Sequence, residues 1–294
     1  MEINNLKTFL AVSEDGSFSK AADRMGVTQP AISKRVAQLE EQLGTKLFDR
    51  IGRSVSLTEA GNALISRSKL IVRHIEDTQR AIQNLTGTIE GSLSLATSHH
   101  IGLWRLPEVL KDYISQQPKV NLDLQFMDSA VAHERIIHGE LEMAIVTLAP
   151  TTHEALVAEP IWQDDLVFVC SGEHVLAKKN NVTINEIAQH GAILPDMTTF
   201  TGRIVRTMFS ELNLDLKISM STNYLETIKM LIAVGLGWSV LPKSMISNDV
   251  LVLNVQPEAI ITRKLGIIRH VKKTLSNAGN AFIEKLRTSS DFQG

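Results

Sequence analysis

From Gly91 onward, short apolar runs alternate with amphipathic stretches: 93–97, 120–126, 141–148, 166–170, 214–220 and 265–268 are strand-like. Between them, apolar residues recur at three and four, as in Leu103, Leu106, Leu110 and Ile114. This alternation predicts an α/β domain with a largely parallel sheet or sheets. Residues 1–57 have another texture, short amphipathic helices broken at Gly16, Gly26, Gly44 and Gly52. Residues 58–89 form one uninterrupted helical pattern, so three zones are expected: 1–57, 58–89 and 90–294.

In the first zone Leu6, Phe9, Leu10 and Val12 fit one short helix. A second is expected to begin at Ser19 as N-cap and to stop at Gly26. Thr28 can cap a third, with Pro30 in its first turn, where a missing N–H costs little. Ile32, Val36, Leu39 and Leu43 recur at four, three and four and form its inward stripe. Gln29, Ser33 and Lys34 then lie on other faces. Two short helices joined by Gly26-Val27-Thr28 make a helix-turn-helix, and the start of the second helix would enter a major groove. Residues 46–57 read as a β-hairpin wing carrying Arg50 and Arg53.

In the second zone, Thr58 is a suitable N-cap. Ile75, Ile82 and Ile89 are seven apart, as are Leu64, Ile71, Thr78 and Leu85. The two series interleave as a and d positions, the seam of a two-stranded helix pair. Packing on its own domain is the competing role. Homodimerisation is preferred because a helix-turn-helix dimer reads two half-sites.

Charge sharpens this picture. The chain has 294 residues, 44% hydrophobic and 21% charged, with 30 Lys plus Arg against 32 Asp plus Glu, net −2. That balance excludes indiscriminate coating of nucleic acid or anionic lipid. Between Lys20 and Arg53, however, seven bases meet four acids, a local net of +3. Such cations serve phosphate contacts, and Gln29 carries the paired acceptor and donor that match an adenine edge. The N-terminus lacks the basic start and apolar run of a signal peptide, and the mostly apolar run 230–242 is too short to span a bilayer. A cytoplasmic protein with no membrane partner is expected.

Ser17-Phe18-Ser19-Lys20-Ala21-Ala22, Val27-Thr28-Gln29-Pro30-Ala31-Ile32-Ser33, Leu47-Phe48-Asp49-Arg50 and Leu57-Thr58-Glu59-Ala60-Gly61 together resemble the LysR-type transcriptional regulators of bacteria. The match is dense over 1–65 and looser but collinear beyond residue 90. The resemblance implies a winged helix-turn-helix (1–57), a dimerising linker helix (58–89) and a two-lobed α/β effector domain like periplasmic binding proteins (90–294). Lobe I would span about 90–161 and 265–294, lobe II about 162–264. It also implies double-stranded promoter DNA, a small-molecule effector and copies of the chain itself, as a dimer or tetramer, as partners, with RNA polymerase a further candidate. Lys20, Thr28, Gln29, Pro30, Ser33, Lys34, Arg50 and Arg53 are the expected DNA contacts, Arg53 reaching backbone or minor groove from the wing.

Ligand chemistry is sought where strands end and helices begin, because orphan N–H groups there make anion sites. Four such places are Thr97-Ser98-His99-His100, Asp128-Ser129, Thr147, and Thr198 to Arg203. By the resemblance they face one another across the inter-lobe cleft. Ser98, His99, Ser129, Thr147, Thr199 and Thr201 are the expected effector contacts, with ordinary helix capping the competing role for each. The effector would be anionic or polar. His100 reads as structural; Trp104 and Arg105 line either the cleft or its rim.

Other chemistry finds no support. There is no GxSxG, P-loop or HExxH, and His133 and His138 are five apart, so neither catalytic residues, a metal nor a cofactor is expected. Gly235-Leu236-Gly237 lacks the third glycine and preceding strand of a dinucleotide site. Cys170, the single cysteine, ends an apolar strand and reads as an inert buried thiol.

Overall fold

The computed structural model describes residues 1–51, 54–85, 87–259 and 261–291. It divides into two compact units, Met1–Leu85 and Thr86–Gly294.

In the first unit, α1 (Ile3–Asp15), α2 (Phe18–Met25) and α3 (Gln29–Leu43) precede a hairpin of β1 (Phe48–Ile51) and β2 (Ser54–Leu57), followed by α4 (Glu59–Asn84). The N-cap of α2 is Ser17 rather than Ser19: its hydroxyl accepts the Lys20 N–H at 3.3 Å. Gly26 ends α2 at φ 65°, a left-handed conformation open to glycine, and Val27 N–H closes the turn on Ala22 O at 3.1 Å. Ala21 and Ala22 are buried, so α2 can lie close to its neighbours. Along α3, Ile32, Val36 and Leu39 are buried, but Leu43 is 41% exposed and does not extend the stripe. Glu40 takes the next inward place: its Oε1 accepts Leu47 N–H at 2.9 Å and its Oε2 meets Lys46 Nζ at 2.8 Å. Burial alone would raise the Glu40 pKa, yet the Lys46 and backbone hydrogen bonds outweigh it and hold the pKa below its ordinary value.

Thr58 opens α4 by accepting Gly61 N–H at 3.0 Å while donating to Lys46 O at 2.7 Å. A Cβ on Gly61 would come within 2.3 Å of Leu47 O, so glycine alone lets α4 meet the start of the wing. Leu64 and Ile71 pack against the helix-turn-helix core, whereas Ile75, Ile82 and Leu85 are exposed. The helix ends at Asn84, short of the periodicity, and Ile89 packs instead on a core cluster of the second unit.

The second unit runs β3 (Gly91–Thr97), α5 (His99–Trp104), α6 (Pro107–Gln116), β4 (Val120–Phe126), α7 (Ser129–Ile137), β5 (Met143–Thr147), β6 (Leu156–Cys170), α8 (Ile184–Ala188), β7 (Ala192–Leu194), α9 (Phe200–Glu211), β8 (Ile218–Ser221), α10 (Leu225–Ala233), β9 (Trp238–Pro242), β10 (Leu251–Val252), β11 (Ile261–His270) and α11 (Asn277–Thr288). Its sheet order is β4-β3-β5-β11-β6-β9-β7-β8, with β10 beside β6. Pairing is parallel among β4, β3 and β5 and among β9, β7 and β8. The middle is antiparallel, because β11 pairs with both β5 and β6 and β6 pairs with β9. The sheet is therefore mixed rather than largely parallel.

Two groups of core clusters lie on either side of this antiparallel middle. One gathers Leu93, Ile101, Ile145, Trp162 and Phe282, the other Leu166, Phe209, Trp238 and Ile261. β6 and β11 cross from one lobe to the other. Cys170 ends β6 fully buried, and burial pushes its thiol up to about 11.

Candidate functional site

The helix-turn-helix presents its polar face at the start of α3. Lys20, Thr28, Gln29, Pro30 and Lys34 are exposed and Ser33 is half-buried. Thr28 holds the N-cap position without a side-chain cap bond, and Gln29 Nε2 donates to Ser33 Oγ at 3.0 Å. Among the described residues no carboxylate pairs with Lys20 or Lys34. Arg24 is instead tied to Glu14 at 3.0 Å and Asp15 at 3.1 Å, and Lys46 to Glu40, so these two bases serve the fold. Arg50 holds a backbone place opposite Val55; its side chain and the whole of Arg53 lie outside the described residues.

In the second unit a cavity of about 370 Å³ opens between the lobes. Ser98, His99, Ser129, Thr147, Thr199 and Thr201, the residues chosen from strand ends, all line it. Their hydrogen bonding separates them. Thr199 caps α9, accepting Gly202 N–H at 3.0 Å and donating to Asp196 O at 2.7 Å, so its hydroxyl is occupied by the fold. Ser129 Oγ accepts Thr147 N–H at 3.1 Å and Thr201 Oγ1 accepts from Arg263 Nη1 at 2.8 Å. Each of those hydroxyls keeps its own proton to donate. Ser98 and Asp128 occupy the N-cap positions of α5 and α7 without capping bonds from their side chains. His99 packs edge-on against Tyr224 at 5.0 Å and tilted against Phe126 at 5.4 Å.

Several lining residues escaped the sequence reading. Arg263 stands opposite Asp164 across β11 and β6, and both are buried. Asp164 Oδ2 accepts from Arg263 Nε at 3.2 Å and Nη2 at 2.8 Å, while Arg105 Nη2 lies 3.2 Å from Oδ1. His100, also buried, sits 3.3 Å from Oδ2, but neither ring nitrogen has an aligned hydrogen-bond partner. Burial opposes ionisation of Asp164; His100 and Arg263 outweigh it and hold the carboxyl well below the usual range. The cluster joins α5 of one lobe, α9 of the other and both crossover strands. Its signal in the sequence is faint, two adjacent charged residues interrupting each of two apolar runs, Asp164-Asp165 and Arg263-Lys264.

Two further contacts cross the mouth. Asn223 Nδ2 donates to Asp128 Oδ2 at 2.8 Å while its Oδ1 accepts Asp196 N–H at 2.9 Å. Trp104, half-exposed, donates to Glu226 Oε1 at 2.9 Å, which puts it on the rim. Deeper, His133 packs edge-on against Phe200 at 4.8 Å. Among the described residues no helix is long and apolar enough to cross a membrane, and no group of three or more His, Cys, Asp and Glu is placed to hold a metal.

The family profile described as bacterial regulatory helix-turn-helix protein, lysR family, matches residues 3–62, and that described as LysR substrate binding domain matches 86–291. The chain belongs to the LysR family of transcriptional regulators. As a LysR-type regulator it is a DNA-binding transcription factor with an effector-binding domain, not an enzyme. One relative is an uncharacterized HTH-type transcriptional regulator in the ibpB-leuC intergenic region of Azotobacter vinelandii, 58% identical over 107 residues, which are 36% of this chain and 74% of that protein. Among solved structures, full-length CbnR complexed with its target DNA superposes with a TM-score of 0.68 at 21% identity, covering 99% of this chain and 100% of that one. The effector binding domain of QuiR in complex with shikimate gives 0.61 at 19% identity, covering 68% and 97%. At these identities the likeness is one of fold.

Proposed function

We propose that this LysR-type regulator binds promoter DNA through α3 and its wing, as an oligomer, in the bacterial cytoplasm, and that a small polar metabolite bound between the lobes modulates that binding. The observation that carries the reading is the cavity itself: hydroxyls with free protons and two helix starts without side-chain caps converge there, in a chain that also bears a lysR helix-turn-helix. Groups left with unused donors at a cavity are suited to an oxygen-rich ligand. The DNA-bound CbnR and shikimate-bound QuiR structures support both halves by analogy of fold.

Residues 1–57 would act as the DNA-binding head, 58–89 as the dimerising linker and 90–294 as the effector domain. Gln29 and Ser33 would face base edges, with Lys20, Lys34, Arg50 and Arg53 on phosphates, while Thr28 and Pro30 set the approach of α3. Ser98, His99, Ser129, Thr147 and Thr201 would contact the effector directly, with Thr199 holding the α9 start in place. A ligand preferring one lobe arrangement shifts its population and, through the linker, the spacing of the heads. Gel-shift assays on the DNA upstream of its own gene test this: a specific shift at moderate salt whose pattern changes with a cavity ligand is expected. No specific shift at any salt would overturn the DNA-binding half, and a shift insensitive to every ligand that occupies the cavity would overturn the effector half.

A further inference from the structure

Formal charge in the cavity lining is unevenly compensated. Arg263 is neutralised by Asp164, and Arg105 shares that carboxylate and pairs with Asp291 at 3.0 Å. Asp128, by contrast, is met only by the neutral amide of Asn223, and among the described residues no cation pairs with it. The uncompensated charge at this polar cavity is therefore negative. A dianion placed beside it would meet repulsion as its water is displaced.

Next to Asp128 in the chain lies the opposite chemistry. The first-turn N–H groups of α7 lack a side-chain cap, and Ser129 keeps a hydroxyl proton to donate. Thr201 does the same from α9, whereas His100 Nε2 in the cavity wall lies 3.3 Å from Asp164 Oδ2 and is turned to that carboxylate. The α7 N–H groups and the two hydroxyls suit a ligand carboxylate. Because consecutive Cα atoms are only about 3.8 Å apart, an acceptor at Asp128 and donors beginning at Ser129 address two groups on one short skeleton.

We infer that the effector is a small zwitterion, an amino acid whose ammonium meets Asp128 and whose carboxylate meets the α7 start, Ser129 and Thr201. This rests on the reading of the cavity as the effector site. Phe126 and Tyr224, beside Asp128 and Asn223, leave an apolar wall for its side chain.

The test is calorimetric titration of the full-length protein with each proteinogenic L-amino acid singly, with succinate, and with the desamino and N-acetyl forms of any amino acid that binds. At least one amino acid should bind, and its desamino and N-acetyl forms should bind about tenfold more weakly or worse, since a hydrogen bond to a charged group is lost. Asp128→Asn, which keeps the side-chain shape, should erase that difference; the ligand-side comparison stands even if the variant misfolds. Succinate or a desamino acid binding as well as the amino acids would overturn the zwitterion while leaving the effector site intact. No binding by any of these compounds overturns it too, and the effector site itself falls only if the lobes also fail to take up every compound in a wider metabolite screen.

Discussion

Arg263 and Asp164 face each other across the two strands that join the lobes, with Nη2 and Oδ2 2.8 Å apart and both side chains buried. Through Thr201 the arginine holds the start of α9 in lobe II; through Arg105 and His100 the aspartate meets α5 in lobe I. One ion pair thus fixes both lobes to the crossover.

Removing one partner of such a pair leaves an unpaired buried charge. Asp164→Asn should destabilise the effector domain by about 3–5 kcal/mol. Asp165→Asn, exposed one residue along the same strand, should stay within about 0.5 kcal/mol. Denaturant unfolding of the two variants decides it, and similar midpoints would remove the pair from the account of stability.

The polar face of α3 separates specificity from affinity. Gln29→Ala should lower discrimination between the operator and a scrambled duplex by about 1–3 kcal/mol. Lys34→Ala should weaken both duplexes alike and reduce the slope of log affinity against log salt by about 1. Fluorescence anisotropy across a salt series reads both effects. A Gln29→Ala loss equal on the two duplexes would place that side chain away from base edges.

Glu40 fastens the wing to α3. Glu40→Ala leaves the Leu47 amide without its acceptor and should cost the head about 1–3 kcal/mol. Lys46→Ala should cost no more than about 1 kcal/mol, because the Lys46 side chain is 77% exposed. The Glu40 carboxyl titrates lower in the folded than in the unfolded chain, so its contribution is present above pH about 4.5 and fades as the pH falls below it. Thermal melts at pH 7 and pH 4 should show the wild-type head losing more than Glu40→Ala does.

How far the sequence exposes this architecture depends on whether the determinant is local. The turn at Gly26 and the β4 strand were legible, since a left-handed glycine and an alternating run carry their own signal. The first half of β6 was not, because Pro160 and Asp164 interrupt its apolar pattern while the β11 ladder holds it extended. Leu214 and Leu216 read as strand, yet they pack on the lobe II core ahead of a ladder that starts at Ile218. The hydroxyl residues at strand ends could be picked out by position. Arg263 could not, since its partner lies 99 positions away and becomes a neighbour only once the crossover strands pair.

His133 gives the effector domain a pH dependence. Burial, and then the charge of Arg203, lower its pKa against the opposing hydrogen bond to Ser129 O. Below pH about 6.5 the unfolded chain takes up a proton that the folded chain refuses, so stability falls as the pH drops from that value toward the lower folded pKa. His133→Gln should flatten the change in melting temperature between pH 7.5 and 5.5. An unchanged slope would assign the dependence to other groups, of which His174, lowered by burial and His190, is the first to examine.

The linker helix offers a sharper test than its periodicity alone suggests. Leu64 and Ile71 already pack on the head, so aspartate there should unfold it. Within the helix Ile75 is 36% exposed and Ile82 63%, apolar surface at seam spacing that a helix standing in water would not carry. Burying an isoleucine contributes about 1.5–3 kcal/mol, and in a symmetric pair each residue counts twice. Ile75→Asp combined with Ile82→Asp should therefore split an α4-mediated dimer while leaving the head folded, read by light scattering for mass and by circular dichroism for helix content. An unchanged mass would move the dimer contact off α4 and leave the exposed seam unexplained by self-association.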